Sequence, residues 1–337
     1  MKSILITGGA GFIGTNVCAC LLEKNYNVTI VDDLKNAYVS HVRFLQNKFS
    51  NLKFVRADVC NKGKMEQIFV DGKFDTVLHL SAKKYVAESF EKTSQYFSNN
   101  MKSLENILDL CQKHCISHFA FASSITVYGN CETENIKEEQ CLAPVSPYAE
   151  TKMLGEEKIK EFAKQNPSMK ITIFRFTNPV SANVKYMLGD HSKKHKINLV
   201  SLVCKSAIEN QPLNLNGNNH QTPDRTPIRD YIHVCDLAKI VVNVLEKQQE
   251  MTDTINVGCG GKGYSVLQVI KCAEKVLNKK IEYSFGAKKK GDLAKIVCDN
   301  THLSKEYGSF DFCGIEKIVR DEIEFQKALA CLKKNMK

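Results

Sequence analysis

Short apolar runs recur through the first half of the chain, each about the length of a strand. They are SILIT from Ser3, NVTIV from Asn27, LKFVRA from Leu52, DTVLHLSA from Asp75, HFAFASS from His118 and KITIFRF from Lys170. Several stay apolar at successive positions instead of alternating, which is the pattern of strands covered on both faces. Segments with helical spacing of apolar positions lie between them, at residues 14–24, 93–114 and 149–164. Strand and helix in alternation predict an α/β fold, with a parallel sheet and helices on both faces. Past Asn178 the rhythm changes. The stretch NPVSANVKYMLGDHSKKHKINLV is polar and loop-like. A short helix, the turn-rich NGNNHQTPDRTPIRDY, a helix at 234–246, the strand TINVG and a helix at 265–278 follow. Residues 1–178 are expected to form one domain, to which the chain returns near 234–258. Residues 179–337 are expected to form mostly a smaller α/β lobe, with no internal repeat or low-complexity linker between the two.

The glycine pattern gives the first domain a purpose. The opening strand runs into ITGGAGFIG, where Gly9, Gly11 and Gly14 fit G-x-G-x-x-G between a strand and a helix. Such glycines permit a tight turn and let backbone approach a pyrophosphate at a helix N-terminus. The second strand closes on Asp32 in VDD. A carboxylate there accepts hydrogen bonds from an adenosine ribose and repels a 2′-phosphate, favouring NAD over NADP. A turn aspartate closing the strand is the plain alternative. The expected fold is thus a doubly wound sheet of Rossmann type.

Two further segments carry chemistry. HFAFASSITVYG ends in the hydroxyls of Ser123, Ser124 and Thr126, with Tyr128 beyond them. At the C-terminal edge of a parallel sheet these point into a ligand crevice. SPYAETK then places Tyr148 and Lys152 one helical turn apart. Taken alone, it is more simply a Pro-initiated helix with an exposed lysine. An ammonium near a phenol lowers the phenol's pKa. Beside a nicotinamide, Tyr148 is therefore expected to carry a proton in a hydride-transfer step, held low by Lys152.

Composition narrows the class. Of 337 residues, 43% are apolar and 25% charged, which fits a globular protein. No apolar run is long enough to cross a bilayer, and MKSILITGGAGFIG reaches its glycines too soon for a signal peptide. No membrane association is expected. The fourteen cysteines form no C-x-x-C, and Cys18, Cys20, Cys111, Cys235 and Cys272 fall in apolar stretches. Reduced thiols and a cytoplasmic location follow. The group Cys111, His114, Cys115 and His118 matches no zinc spacing, so no metal is expected. The formal charge of +10 comes without a basic stripe interleaved with aromatics, which argues against nucleic acid. The clusters KKK at 288–290 and SKKHK at 192–196 are solvated surface, or an attraction for an anionic small molecule.

With these motifs the chain resembles the extended short-chain dehydrogenase/reductase family nearly end to end, and within it the nucleotide-sugar epimerases. The resemblance runs through TGGAGFIG, VDDL, VLHLSAKKYVAES, NNMKSLENIL, SSITVYG, SPYAETK, FRFTNPVSA, TPDRTPIRDYIHVCDLA and INVGCGGKGYSVLQVI. It implies a retained NAD that is reduced and reoxidised within one turnover. It also implies a UDP-sugar substrate, interconverted between UDP-glucose and UDP-galactose through a 4-keto intermediate, and a homodimer. By resemblance Tyr148 and Ser124 carry the proton chemistry, Thr126 lies near the sugar and Lys152 lies on the nicotinamide side. Gly8, Gly9, Gly11, Phe12, Ile13, Gly14, Asp32, Asp33, Asn36, Asp58, Val59, Lys84 and Asn99 fall where the family holds NAD, together with Ser124, Tyr148 and Lys152. Asn178, Asn198, Asn216, Arg229, Lys289, Asp292 and Ile296 fall where it holds the nucleotide sugar. Arg229 also makes sense independently, since a guanidinium suits a pyrophosphate, although a surface salt bridge would use it equally.

The substrate half departs from the family pattern. Arg225 and Pro227 replace flexible glycines, Asn216 replaces an aromatic facing the uracil, and Lys289 replaces an arginine with a point charge. Phe176 stands where a tyrosine is common. Only Asn198 remains of a pair of asparagines, and Ile296 occupies the position that sets room for an N-acetyl group. The same chemistry with altered affinity is the expectation. Alternatives are an epimerase of UDP-N-acetylhexosamines or UDP-pentoses, and a non-catalytic NAD-binding sensor or scaffold. A dehydratase fits poorly, because SSITVYG carries no carboxylate for the acid/base pair that loss of water needs.

Overall fold

The computed structural model describes residues 2–131, 135–193, 198–261, 263–288 and 292–335. Seven parallel strands make its main sheet: β1 (Ser3–Thr7), β2 (Asn27–Asp32), β3 (Leu52–Arg56), β4 (Thr76–His79), β5 (His118–Ser124), β6 (Lys170–Phe176) and the later strand Thr252–Val257. Their order is Thr252–Val257, β6, β5, β4, β1, β2, β3. Alternate residues of β1 enter different cores, as the two-residue period of a strand requires. Ile4 and Ile6 join one apolar cluster and Leu5 joins the other.

Helices α1 (Phe12–Glu23), α2 (Ser40–Lys48), α3 (Lys62–Gly72), α4 (Val86–Glu91), α5 (Thr93–Lys113) and α6 (Pro147–Gln165) alternate with the strands. Further on come α7 (Leu199–Glu209), α8 (Val234–Lys247), α9 (Val266–Leu277), α10 (Thr301–Tyr307) and α11 (Ile315–Asn335). The Ile4/Ile6 cluster is filled by α1 and α8, and the Leu5 cluster by α3, α5 and α6. A third cluster, among α7, α9 and α11, forms the core of the smaller lobe. The lobe also holds the parallel pair Leu213–Asn216 with Tyr283–Gly286, and a small sheet of Tyr264–Ser265, Ile228–Arg229 and Lys295–Ile296.

β1 lies between β4 and β2, so the chain leaves it toward opposite sides and opens a crevice at the C-terminal edge. β1, β5 and α6 each bring a motif to that edge. α6 starts cleanly because Ser146 accepts a hydrogen bond from the Ala149 N–H and Pro147 occupies the first turn.

A buried ion pair ties α6 to the sheet. Arg175 on β6 is 2% exposed, and Glu156 on α6 is fully buried. Arg175 donates from Nη2 to Glu156 Oε2 at 2.6 Å, while Ser123 Oγ donates to Glu156 Oε1 at 2.5 Å. Arg175 Nη1 donates to the Tyr128 hydroxyl, which in turn donates to Asn256 Oδ1. Four elements are joined through one satisfied charge pair. Glu156→Ala leaves the guanidinium buried without its counter-ion and is expected to lower unfolding free energy by about 3–5 kcal/mol. The double replacement Glu156→Leu with Arg175→Met should lose much less. Urea unfolding midpoints check this, and a loss under ~1 kcal/mol for Glu156→Ala would contradict it.

Candidate active site

The glycine turn is pressed between three elements. Gly8 has φ +66°, and a Cβ on it would stand 2.8 Å from the Ser81 backbone nitrogen just after β4. A Cβ on Gly14 would lie 2.6 Å from Gly9 Cα, so helix and turn can meet this closely only as glycines. Gly11 caps α1 with no side-chain hydrogen bond, which leaves the first-turn N–H groups of Phe12 and Ile13 for an anion. Asp32, at the end of β2, reaches across: its Oδ2 accepts from the Ala10 N–H at 3.2 Å and its Oδ1 from the Leu34 N–H at 2.9 Å. Burial raises the Asp32 carboxyl above its usual range, and the two N–H groups oppose that rise. This cradle fits a dinucleotide, with the pyrophosphate on the turn and a ribose on Asp32.

The surrounding positions vary in their engagement. Asp33 and Asp58 both pair with Lys35, which holds Asp58 below the ordinary carboxylate range. Val59 is buried in the core beside them. Asn99 donates from Nδ2 to Cys60 Sγ at 3.4 Å, and exposed Lys84 lies against the Tyr85 ring. Asn36 donates to the Tyr85 hydroxyl at 3.1 Å. A segment of the smaller lobe closes over this loop. Lys193 donates from its backbone to Asn36 O at 2.9 Å and from Nζ to Leu34 O at 2.8 Å, and Ser192 bridges Ala37.

Ser124, Thr126, Tyr148 and Lys152 meet at the crevice. Thr126 Oγ1 donates to Ser124 Oγ at 3.0 Å, and Ser124 is hydrogen-bonded to the Tyr148 hydroxyl. Lys152 is 4% exposed, donates to Ala122 O at 2.6 Å and lies over the Phe121 ring. The expectation of a phenol held low by this ammonium fails for the protein groups alone. Burial pushes the Tyr148 phenol up to about 12, opposed by the Ser124 hydrogen bond. Burial pulls the Lys152 ammonium down to about 7, opposed by Glu156. Lys152 Nζ sits 6.0 Å from the Tyr148 ring centroid, and burial dominates both groups. Glu156 and Arg175 were not singled out in the sequence, although an acidic residue one turn past Lys152 on a buried helix face is a readable signal.

The nucleotide-sugar positions divide. Arg229 donates from Nη2 to Asp292 Oδ1 at 2.5 Å, and its strand pairs with Lys295–Ile296. Ile296 is buried in a cluster with Ile125 and Val127, on either side of Thr126, which brings this corner of the lobe to the turn that carries Ser124 and Thr126. Asn178 donates from Nδ2 to Asp230 O at 3.2 Å. Asn198 caps α7, accepting from the Ser201 N–H at 3.0 Å and donating to Asp190, so its side chain already has a structural task. Asn216 is exposed at the end of its strand. Arg225 adopts φ +62°, the left-handed conformation that a glycine takes without strain, and Pro227 is buried. Phe176 is buried and stacks on Phe174. Lys289 lies outside the described residues, as do parts of both basic clusters.

The fold, the glycine cradle and the Tyr-Lys pair fit the class of NAD-dependent enzymes. The chain belongs to the NAD dependent epimerase/dehydratase family, whose model matches residues 4–258. Among particular relatives, it is 34% identical over 338 residues to the bifunctional UDP-glucose 4-epimerase and UDP-xylose 4-epimerase 1 of Pisum sativum, covering 97% of this chain and 96% of that one. It is 32% identical to the UDP-glucose 4-epimerase of Bacillus subtilis, with 97% of each chain covered. Its structure is similar to that of the UDP-glucose 4-epimerase from Bifidobacterium longum in complex with NAD+ and UDP. The TM-score is 0.93 at 33% identity, covering 97% of this chain and 98% of that one.

If the adenosine ribose sits on Asp32 as the cradle allows, Asp32→Ala is expected to lower the preference for NAD over NADP by about tenfold or more. The ratio of the two dissociation constants reads this directly. An unchanged ratio would place the ribose elsewhere.

Proposed function

We propose that this protein interconverts UDP-glucose and UDP-galactose at C4 of the sugar, with an NAD that stays bound through turnover. The observation that carries the reading is the meeting of Ser124, Thr126, Tyr148 and Lys152 at the sheet edge beside the glycine turn. Bound there, NAD supplies the hydride acceptor and donor that let C4 be oxidised to a ketone and reduced on its other face, and its cationic ring favours a phenolate nearby. Gly8, Gly9 and Gly11 with the start of α1 hold the pyrophosphate, and Asp32 holds the adenosine ribose. Tyr148 takes the proton of the sugar 4-hydroxyl and returns it, while Ser124 and Thr126 orient both oxygens. Lys152, held near neutrality, regains its charge with little added negative potential and then steadies the phenolate and the nicotinamide ribose. Arg229 and Asp292 face the nucleotide end.

No net redox results from such a cycle, so the cofactor need not leave. The contacts of Ser192 and Lys193 with residues 34–37 support its retention. A UDP-pentose fits the same site, as in the bifunctional pea relative, because the C4 chemistry does not involve C6. We also read the protein as a cytoplasmic homodimer. Its fourteen free thiols support the first part, and for the second we assign the neighbouring helices α5 and α6 as the surface that meets the other copy. Light scattering should then give twice the chain mass.

Purified protein given UDP-galactose and no added NAD is expected to produce UDP-glucose. No conversion of any UDP-hexose or UDP-pentose would sink the reading. Tyr148→Phe should keep its NAD and lose about 10²–10⁴-fold in kcat. Near-normal turnover would mean another group carries the proton.

A further inference from the structure

Most other described histidines near the cores have clear partners: His79 with Thr7, His118 with Thr172, His233 with Asp321 and His302 with Asp253, while His114 leaves its Nε2 buried without a partner among the described residues. His220, in the turn-rich loop of the smaller lobe, differs. Its side chain is fully buried, yet neither ring nitrogen has a hydrogen-bond partner among the described residues. Burying two unsatisfied ring nitrogens is unfavourable unless something else completes them. The loop itself is well held, since the His220 N–H donates to Arg225 O and His220 O accepts from the Thr222 N–H. The ring is aimed at the nucleotide corner: Nε2 lies 3.6 Å from Asp292 Oδ2, just outside hydrogen-bond range. The other oxygen of Asp292 is taken by Arg229.

We propose that His220 is a positioning residue of the nucleotide subsite: when a diphosphate draws Arg229 from Asp292, His220 binds a proton and replaces Arg229 on that carboxylate. The inference rests on the nucleotide-sugar reading of this site. A diphosphate accepts a guanidinium fork better than a single carboxylate does, because it offers more charged oxygens. Asp292, with its side chain 21% exposed, then needs a new cation, and the imidazole is the adjacent group able to become one. Among the described residues, three charged groups act on His220: Asp292, Lys288 and Arg229. Burial lowers its pKa first, Asp292 opposes this, and Lys288 and Arg229 add to it. Two phosphate charges arriving, with Arg229 turned toward them, reverse that balance. The proton comes from solvent.

The sign follows from linkage. His220 binds its proton more tightly in the complex, so binding takes up a proton. Affinity then falls as pH rises through the bound-state value, by at most about tenfold per pH unit. Isothermal titration with UDP-glucose, in buffers of different ionisation enthalpy between about pH 6 and 8, measures the uptake. UDP-glucose suits the test because its diphosphate, esterified at both ends, keeps a constant charge there. The wild type is expected to take up a measurable fraction of a proton. His220→Gln, which can still donate to Asp292 but cannot titrate, should bind with none. His220→Asn is measured in parallel, so that a folding defect in one variant does not decide the result. Binding with no uptake, or with uptake unchanged in the variants, overturns this inference alone. No binding of UDP-glucose to the wild type overturns the nucleotide-sugar reading, and this inference with it.

Discussion

The geometry of the crevice depends on the ion pair between Arg175 and Glu156. Tyr148, Lys152 and Glu156 follow one another at successive turns of α6, and only the last is anchored by charge to the sheet. Ser123, the neighbour of Ser124, donates to the same carboxylate, so one group sets the distance from α6 to the end of β5. A buried pair of this kind contributes little net stability against an apolar equivalent, but it punishes any arrangement that separates its partners. That property suits a site whose hydroxyls must meet within hydrogen-bond distance. Tyr128 and Asn256 extend the network to the late strand Thr252–Val257, so the return of the chain to the sheet also steadies the catalytic edge.

Desolvation governs the electrostatics of both ends of the crevice. Tyr148 and Lys152 are both driven toward their neutral forms by burial. Glu156, already neutralised by Arg175, returns only part of the charge to Lys152. A site in this condition is sensitive to any added charge, because in a low-dielectric pocket each one acts strongly. At the nucleotide end burial likewise favours the neutral form of His220. The two clusters are linked through Ile296, whose strand pairs with that of Arg229 while its side chain packs beside the turn of Thr126.

The smaller lobe reaches back over the first domain in a second place. Its segment at 192–193 bonds to the loop that follows Asp32, which makes the cofactor cradle a joint product of both parts of the chain. The departures in the lobe do not disturb this frame. Arg225 takes a conformation suited to glycine, and Asn216 ends exposed, while Ser124, Thr126 and Tyr148 are joined by hydrogen bonds.

The parallel sheet, the glycine turn, Asp32 and the spacing of Tyr148 and Lys152 were legible in the sequence, because each is a local pattern. Strand runs covered on both faces are mostly apolar, and a turn that admits no Cβ must be glycine. The rest required the fold. Glu156 and Arg175 lie 19 residues apart on different elements, and their pairing shows only when both are seen at 2% exposure or less. Asn198 reads as a ligand residue by position, yet as a helix cap in place. The titration of Tyr148 and Lys152 ran against the simple expectation, since spacing reveals a neighbour but not the water removed around it. His220 carried no signal at all in its own segment. Its meaning comes from Asp292 and Arg229, which only the tertiary structure brings to its ring.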